Sequence, residues 1–113
     1  MVVRNGLARL WRARSMDVPG GVGLVLVVAE HVHHGNGTHH ILESRPEALF
    51  ISLHQHPLYP GTGWLTETGL GAGAGYTVNV PLPAGCADPE YLLAFDRLVI
   101  PLAEAYRPQL VLV

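Results

Sequence analysis

Four stretches of this chain are apolar enough to be buried strands: Gly23 to Ala29 (GLVLVVA), Ala48 to Leu53 (ALFISL), Tyr76 to Val80 (YTVNV) and Leu110 to Val113 (LVLV). The first is β-branched and apolar on both faces, as in a central strand of a parallel sheet covered by helices, and the last reads as a fourth buried strand. Between 88 and 106 the period changes. Leu92, Phe95, Val99, Leu102 and Tyr106 recur at helical spacing, which predicts a long helix near 89–106 with one buried face. Asp88-Pro89-Glu90 suits its start, because an Asp side chain caps free backbone N–H groups and Pro in the first turn forfeits no bond. Pro101 predicts a kink, and Arg107-Pro108 a stop. A shorter helix is expected over Thr38 to Glu43, ended by Ser44-Arg45-Pro46. Residues 55–75 read as a long loop rich in Pro and Gly, and ordered loops of that length are often functional. Residues 1–18 suggest a short basic helix with Leu7, Leu10 and Trp11 on one side, stopped by Pro19, Gly20 and Gly21.

The order strand, helix, strand, loop, strand, helix, strand gives an α/β fold class with a partial parallel sheet. In such sheets chemistry gathers on the loops at the carboxyl ends of the strands. The sequence stops within the last strand, which reads as a piece of a larger α/β domain.

Composition narrows the function. A length of 113 residues suits one domain, and 49% hydrophobic against 14% charged residues excludes a disordered segment. A formal charge of −2 excludes nucleic acid as the main partner, since phosphate binding needs a basic field. All seven basic residues are Arg, four of them within the first fourteen positions. The longest strongly apolar run, Val22 to Ala29, is far short of the roughly twenty residues a membrane helix needs, so no membrane partner is expected. Cys86 has no second cysteine to pair with, and a cytoplasmic location is the expectation.

The histidines change the picture most. All seven lie between 31 and 56, five of them in HVHHGNGTHH, His31 to His40. Residues two apart on an extended segment point the same way, so His31 and His33 are expected to face one point beyond the first strand while His34 points away. Two imidazoles on one side form half of a zinc site. His54, at the end of the second strand, is placed at the same crevice, and His39, His40 and His56 at the surface. GLGAGAG, Gly69 to Gly75, does not fit G-x-G-x-x-G and precedes a strand, so it reads as a flexible turn and not a nucleotide loop. Ser52 lies in no G-x-S-x-G motif, which argues against a Ser/His hydrolase.

HHGNGT (His33 to Thr38), ISLHQHPLYPGTG (Ile51 to Gly63), GYTVNVPLP (Gly75 to Pro83) and the closing PQLVLV, in this order, resemble the central part of the histone deacetylase family. That family includes acetylpolyamine amidohydrolases and acetoin-utilisation proteins. The resemblance covers 22–113 and leaves 1–21 as an unassigned basic segment. It implies an arginase-like parallel sheet and a zinc-dependent amidohydrolase acting on acetyl-lysine or acetylated amines. It also implies that the chain is a fragment of that domain, truncated at both ends. The family's Asp-x-Asp-x-His-His pattern falls on Ala29 to His34, so that a metal-binding His lands on His33, the first Asp ligand on His31, and the earlier Asp on Ala29. Asn36 matches the residue that orients a catalytic His, Ser52 and the carbonyl of Leu53 match ligands of a monovalent cation, and Tyr59 matches an aromatic wall of the substrate channel. The paired catalytic histidines, the second Asp ligand and the carbonyl-polarising Tyr correspond to positions before the first strand and after the last. Two readings follow: a deacetylase fragment inactive on its own and holding zinc weakly or not at all, or a non-catalytic remnant that binds metal weakly or pairs with a partner, with self-association through exposed sheet edges.

Overall fold

Parallel pairing organises the computed structural model, which describes Val2–Val3 and residues 23–113. Among the described residues there are five strands: β1 (Val2–Val3), β2 (Val25–Glu30), β3 (Ala48–Gln55), β4 (Thr77–Leu82) and β5 (Leu110–Leu112). They lie in the order β1-β5-β2-β3-β4, and each neighbouring pair is parallel. The four strands expected from the apolar blocks are therefore present. The helix expected over 1–18 lies outside the described residues except at Val2–Val3, which pair with β5 as a strand.

Register sorts the side chains onto two faces. Val25, Val27 and Ala29 align with Ala48, Phe50 and Ser52, whereas Leu26 and Val28 align with Leu49 and Ile51. The Leu26 face, with Leu49, Ile51 and Leu53, packs against Ala94 and Val99 and against the half-buried Tyr91, Phe95, Leu102 and Tyr106. The opposite face packs Ala48 and Phe50 against Leu42 of α1 (Asn36–Leu42), which starts two residues before the expected helix. Phe50, Ile51 and Leu53 are all fully buried. Each contributes about 1.5–3 kcal/mol of apolar burial to the sheet that carries the site.

The long helix runs as α2 (Asp88–Ala94), a π-helical turn (Phe95–Val99) and α3 (Ile100–Tyr106). Pro101 explains the wide turn. It has no N–H for the carbonyl of Arg97, and its ring would press on that carbonyl in a regular α-helix. The Ile100 N–H instead reaches back to the carbonyl of Phe95, so the expected kink takes the form of a π turn. Two expectations for this helix are corrected. Asp88 is not the cap: the Glu90 carboxylate takes the Ala87 N–H at 2.7 Å, a bond that holds Glu90 below the usual carboxylate range. Leu92 is exposed, because the buried face is set by Tyr91, Ala94 and Phe95, one step earlier around the helix.

Candidate functional site

The ladder between β2 and β3 continues past the end of β2. The His31 N–H donates to the carbonyl of Leu53 at 3.2 Å and the Gln55 N–H to the carbonyl of Val32 at 2.9 Å. Residues 31–34 are thereby laid along the carboxyl edge of the sheet, where alternation sends neighbouring side chains to opposite sides.

His31 and His33 turn outward together. Their ring centroids are 5.8 Å apart with planes tilted by 33°, and both residues are exposed. The His33 N–H donates to His31 Nδ1 at 3.2 Å, so neutral His31 carries its proton on Nε2. Tyr59 stands edge-on to His33 at 6.5 Å between centroids and is itself 81% exposed. The expected pair is thus brought together, with the expected aromatic beside it. Asn36 is exposed at the start of α1, and its N–H donates to the carbonyl of His34.

His34 turns inward, as the alternation requires, into a cluster the sequence reading did not assemble. Its Nδ1 lies 2.8 Å from Thr62 Oγ1 and its Nε2 3.0 Å from His39 Nδ1, and its ring packs on His54 at 4.8 Å. His39 Nε2 in turn lies 3.5 Å from the Glu43 carboxylate. His54 is fully buried between Ser52 Oγ (3.0 Å from Nδ1) and the carbonyl of Gly63 (2.7 Å from Nε2). A carbonyl only accepts, so His54 donates from Nε2, and its Nδ1 accepts the Ser52 hydroxyl proton. Burial, reinforced by His54 and His39 alongside, pushes His34 down to about 4. Burial also lowers His54.

Three placements therefore change. His54 lies in the inner cluster with His34, because its β3 parity matches Ser52 and Phe50 on the α1 face. His39 is buried while Ile41, two residues on, is exposed, so hydropathy within α1 misleads; the usable signal is the three-residue spacing from His39 to buried Leu42. His56 is half-buried and stacks on Trp64 at 4.8 Å, whereas His40 is exposed as expected.

The residues present can be tested against the metals that the resemblance implies. Among the described residues no group of three His, Cys, Asp or Glu side chains is placed to hold an ion. His31 and His33 supply two nitrogens and do not by themselves fit a zinc site, which takes three or four protein ligands. Ala29 sits beside Ser52 in the sheet register and offers no side-chain carboxylate there. The Ser52 hydroxyl donates to His54 Nδ1 and the Leu53 carbonyl accepts the His31 N–H, so both oxygens keep a lone pair.

Comparison with known proteins bears on the family and the fold. A family model described as histone deacetylase domain matches residues 12–113, and so begins within the segment 1–21 that the motifs leave unassigned. A probable deacetylase of Archaeoglobus fulgidus is 43% identical over 91 residues, covering 80% of this chain and 25% of that protein. Histone deacetylase 15 of Arabidopsis thaliana is 45% identical over 97 residues, covering 82% of this chain and 18% of that one. The crystal structure of the HDA15 HD domain superposes with a TM-score of 0.78 at 46% identity, covering 81% of this chain and 27% of that chain. The chain thus spans about a quarter or less of the length of these curated relatives.

Proposed function

The chain belongs to the histone deacetylase family, and from that premise we propose that it is the zinc-facing central segment of a deacetylase acting on acetyl-lysine or acetylated amines such as acetylpolyamines. The observation that carries this reading is the outward pair His31 and His33 at the carboxyl edge of a parallel sheet, with Tyr59 beside His33. Bound zinc would supply an acidified water and polarise an amide carbonyl. The chain's own part is to offer two imidazole nitrogens, and to present the Tyr59 ring as a wall against the alkyl stem of the acylated amine. Two imidazoles with no further ligand give weak zinc binding. Without a general base or an oxyanion donor they give little rate, so the 113-residue chain is inactive by itself.

A specific observation favours a second reading. Ala29 and His31 stand where the family pattern has two aspartates, which suits a non-catalytic remnant that keeps a weak metal-binding edge. One set of measurements tests the strand-end pair and the inactivity that both readings share. Zinc is titrated by calorimetry into the chain and into His31→Ala, His33→Ala and His40→Ala, the last a control with an exposed imidazole on α1. The first two substitutions abolish most binding and the third changes little. Loss of binding in His40→Ala with retention in His31→Ala would show that the strand-end pair is not the site. Turnover of acetyl-lysine peptides by the unmodified chain, lost in His33→Ala, would overturn the inactivity.

A further inference from the structure

His33 and His34 are consecutive, and their side chains meet the same loop from opposite sides. Outward, His33 meets Tyr59; inward, His34 meets Thr62 through Nδ1 and Oγ1 at 2.8 Å. One residue further along the loop, the Gly63 carbonyl accepts the Nε2 proton of His54 at 2.7 Å. Gly63 lies directly on the two buried rings. A Cβ there would stand 2.5 Å from His54 Nε2 and 2.6 Å from His34 Cγ, and its φ of +90° also favours glycine. The loop then folds back on itself, because the Glu67 carboxylate accepts the N–H groups of Gly63 at 2.7 Å and of Trp64 at 2.5 Å. Asn79 of β4 donates to the Glu67 carbonyl at 2.8 Å. A long loop without strands is thus fixed to the sheet at Thr62 and Gly63, close in sequence to the tyrosine that faces the candidate metal edge.

We propose that His34 and His54 are positioning residues: a buried imidazole clamp that grips Thr62 and Gly63 and thereby sets Tyr59 against His33. The clamp explains why two polar rings occupy the inner side of this edge at all. One nitrogen of each ring is used on the loop and the other on His39 or Ser52, and apolar residues of the same size would offer the Gly63 carbonyl and the Thr62 hydroxyl no partner. What the clamp is for rests on the reading of Tyr59 as a channel wall; the clamp itself does not.

The test follows ring–ring contacts and amide exchange by NMR in the full chain, without metal or substrate. In the unmodified protein, Tyr59 and His33 ring protons give cross-relaxation, and the hydrogen-bonded amides of Gly61, Gly63, Trp64 and Glu67 are protected. Thr62→Val removes the hydroxyl at nearly constant shape. It abolishes the Tyr59–His33 contact and speeds exchange at those loop amides by about fivefold or more, while β2 and β3 amides keep their protection. Thr62→Ser restores both. In a second pair, His54→Gln carries an amide donor about as far as Nε2 and holds the loop, whereas His54→Asn falls short and releases it. Persistence of the Tyr59–His33 contact in Thr62→Val overturns the clamp. So does a loss of protection that spreads equally to β2 and β3, or failure of Thr62→Ser and His54→Gln to rescue, since either marks a general stabilising role. Zinc calorimetry on the same variants keeps the two proposals apart: a chain that binds no zinc yet releases Tyr59 in Thr62→Val sinks the metal reading and leaves the clamp standing.

Discussion

Within the folded chain His34 stays neutral down to about pH 4, whereas an imidazole in the unfolded chain takes up its proton near 6.5. Between those values the unfolded state binds the extra proton, so His34's contribution to stability is complete above 6.5 and is lost as the pH falls towards 4. At pH 5.5 the loss is on the order of 1 kcal/mol relative to pH 7.5. His54, shifted in the same direction by burial, adds to it. The groups around His34 are His54 and His39, which disfavour its charge, and Glu67 and Asn79, which favour it. Urea midpoints at pH 7.5 and 5.5 measure the effect: the midpoint falls at the lower pH, and His34→Gln, with nothing to titrate, falls less. At this scale the sequence was half legible. Alternation alone separates His33 from His34. It cannot show that the inward ring meets a loop nearly thirty residues away, because that contact depends on how the loop folds back.

The buried strands were legible because their apolar runs are short, rich in Val and Ile, and bounded by Gly, Pro or polar residues, too brief for a buried helix. Glycines misled more. GLGAGAG reads as a flexible turn, yet Gly71–Gly73 forms a 3₁₀ turn, and the Leu70 N–H donates to the Glu43 carbonyl at 2.6 Å. A Cβ on Gly73 would stand 2.4 Å from the Glu43 carbonyl oxygen and 2.6 Å from the Arg45 nitrogen, both backbone atoms that cannot swing aside. Gly73→Ala is therefore expected to destabilise the chain by about 2 kcal/mol or more, through forced separation of the loop from the end of α1. Gly37, inside α1 with open space around its would-be Cβ, predicts the reverse: Gly37→Ala stabilises by about 0.5–1 kcal/mol through helix propensity and a less mobile unfolded chain. Thermal unfolding of the two variants side by side checks both signs. Equal effects would mean that the glycine-rich segment is not packed against the α1–β3 turn.

For the whole molecule, the surface that stands out is the outer side of the long helix. Leu92, Leu93, Leu98 and Ile100 are all exposed, Leu92 to 64%, although the inner side of the same helix packs on the Leu26 face of the sheet. A helix with apolar residues on both sides is the kind found inside a larger fold, and the chain spans about a quarter or less of its curated relatives. From the sequence, self-association is expected through exposed sheet edges. The β4 edge is poorly suited to it, because Pro81 lies within that strand and brings no N–H for a further partner. Association of the purified chain is thus expected to run through the helix surface and to grow with concentration. Sedimentation velocity across a hundredfold concentration range should show mass above the monomer for the unmodified chain, and a return to monomer for Leu92→Glu combined with Leu93→Glu. Both positions face away from the core, so the double variant should keep the strand-protection pattern of the parent. A charge placed on the edge strand instead, as in Val78→Lys, would be a poor comparison, since Val78 packs against the core beneath the helix. Pro83→Lys, just beyond β4, adds charge at that edge without touching the core, and it should leave the association unchanged. If Pro83→Lys disperses the oligomer while the leucine substitutions do not, the contact runs along the sheet and the exposed helix face is not its cause.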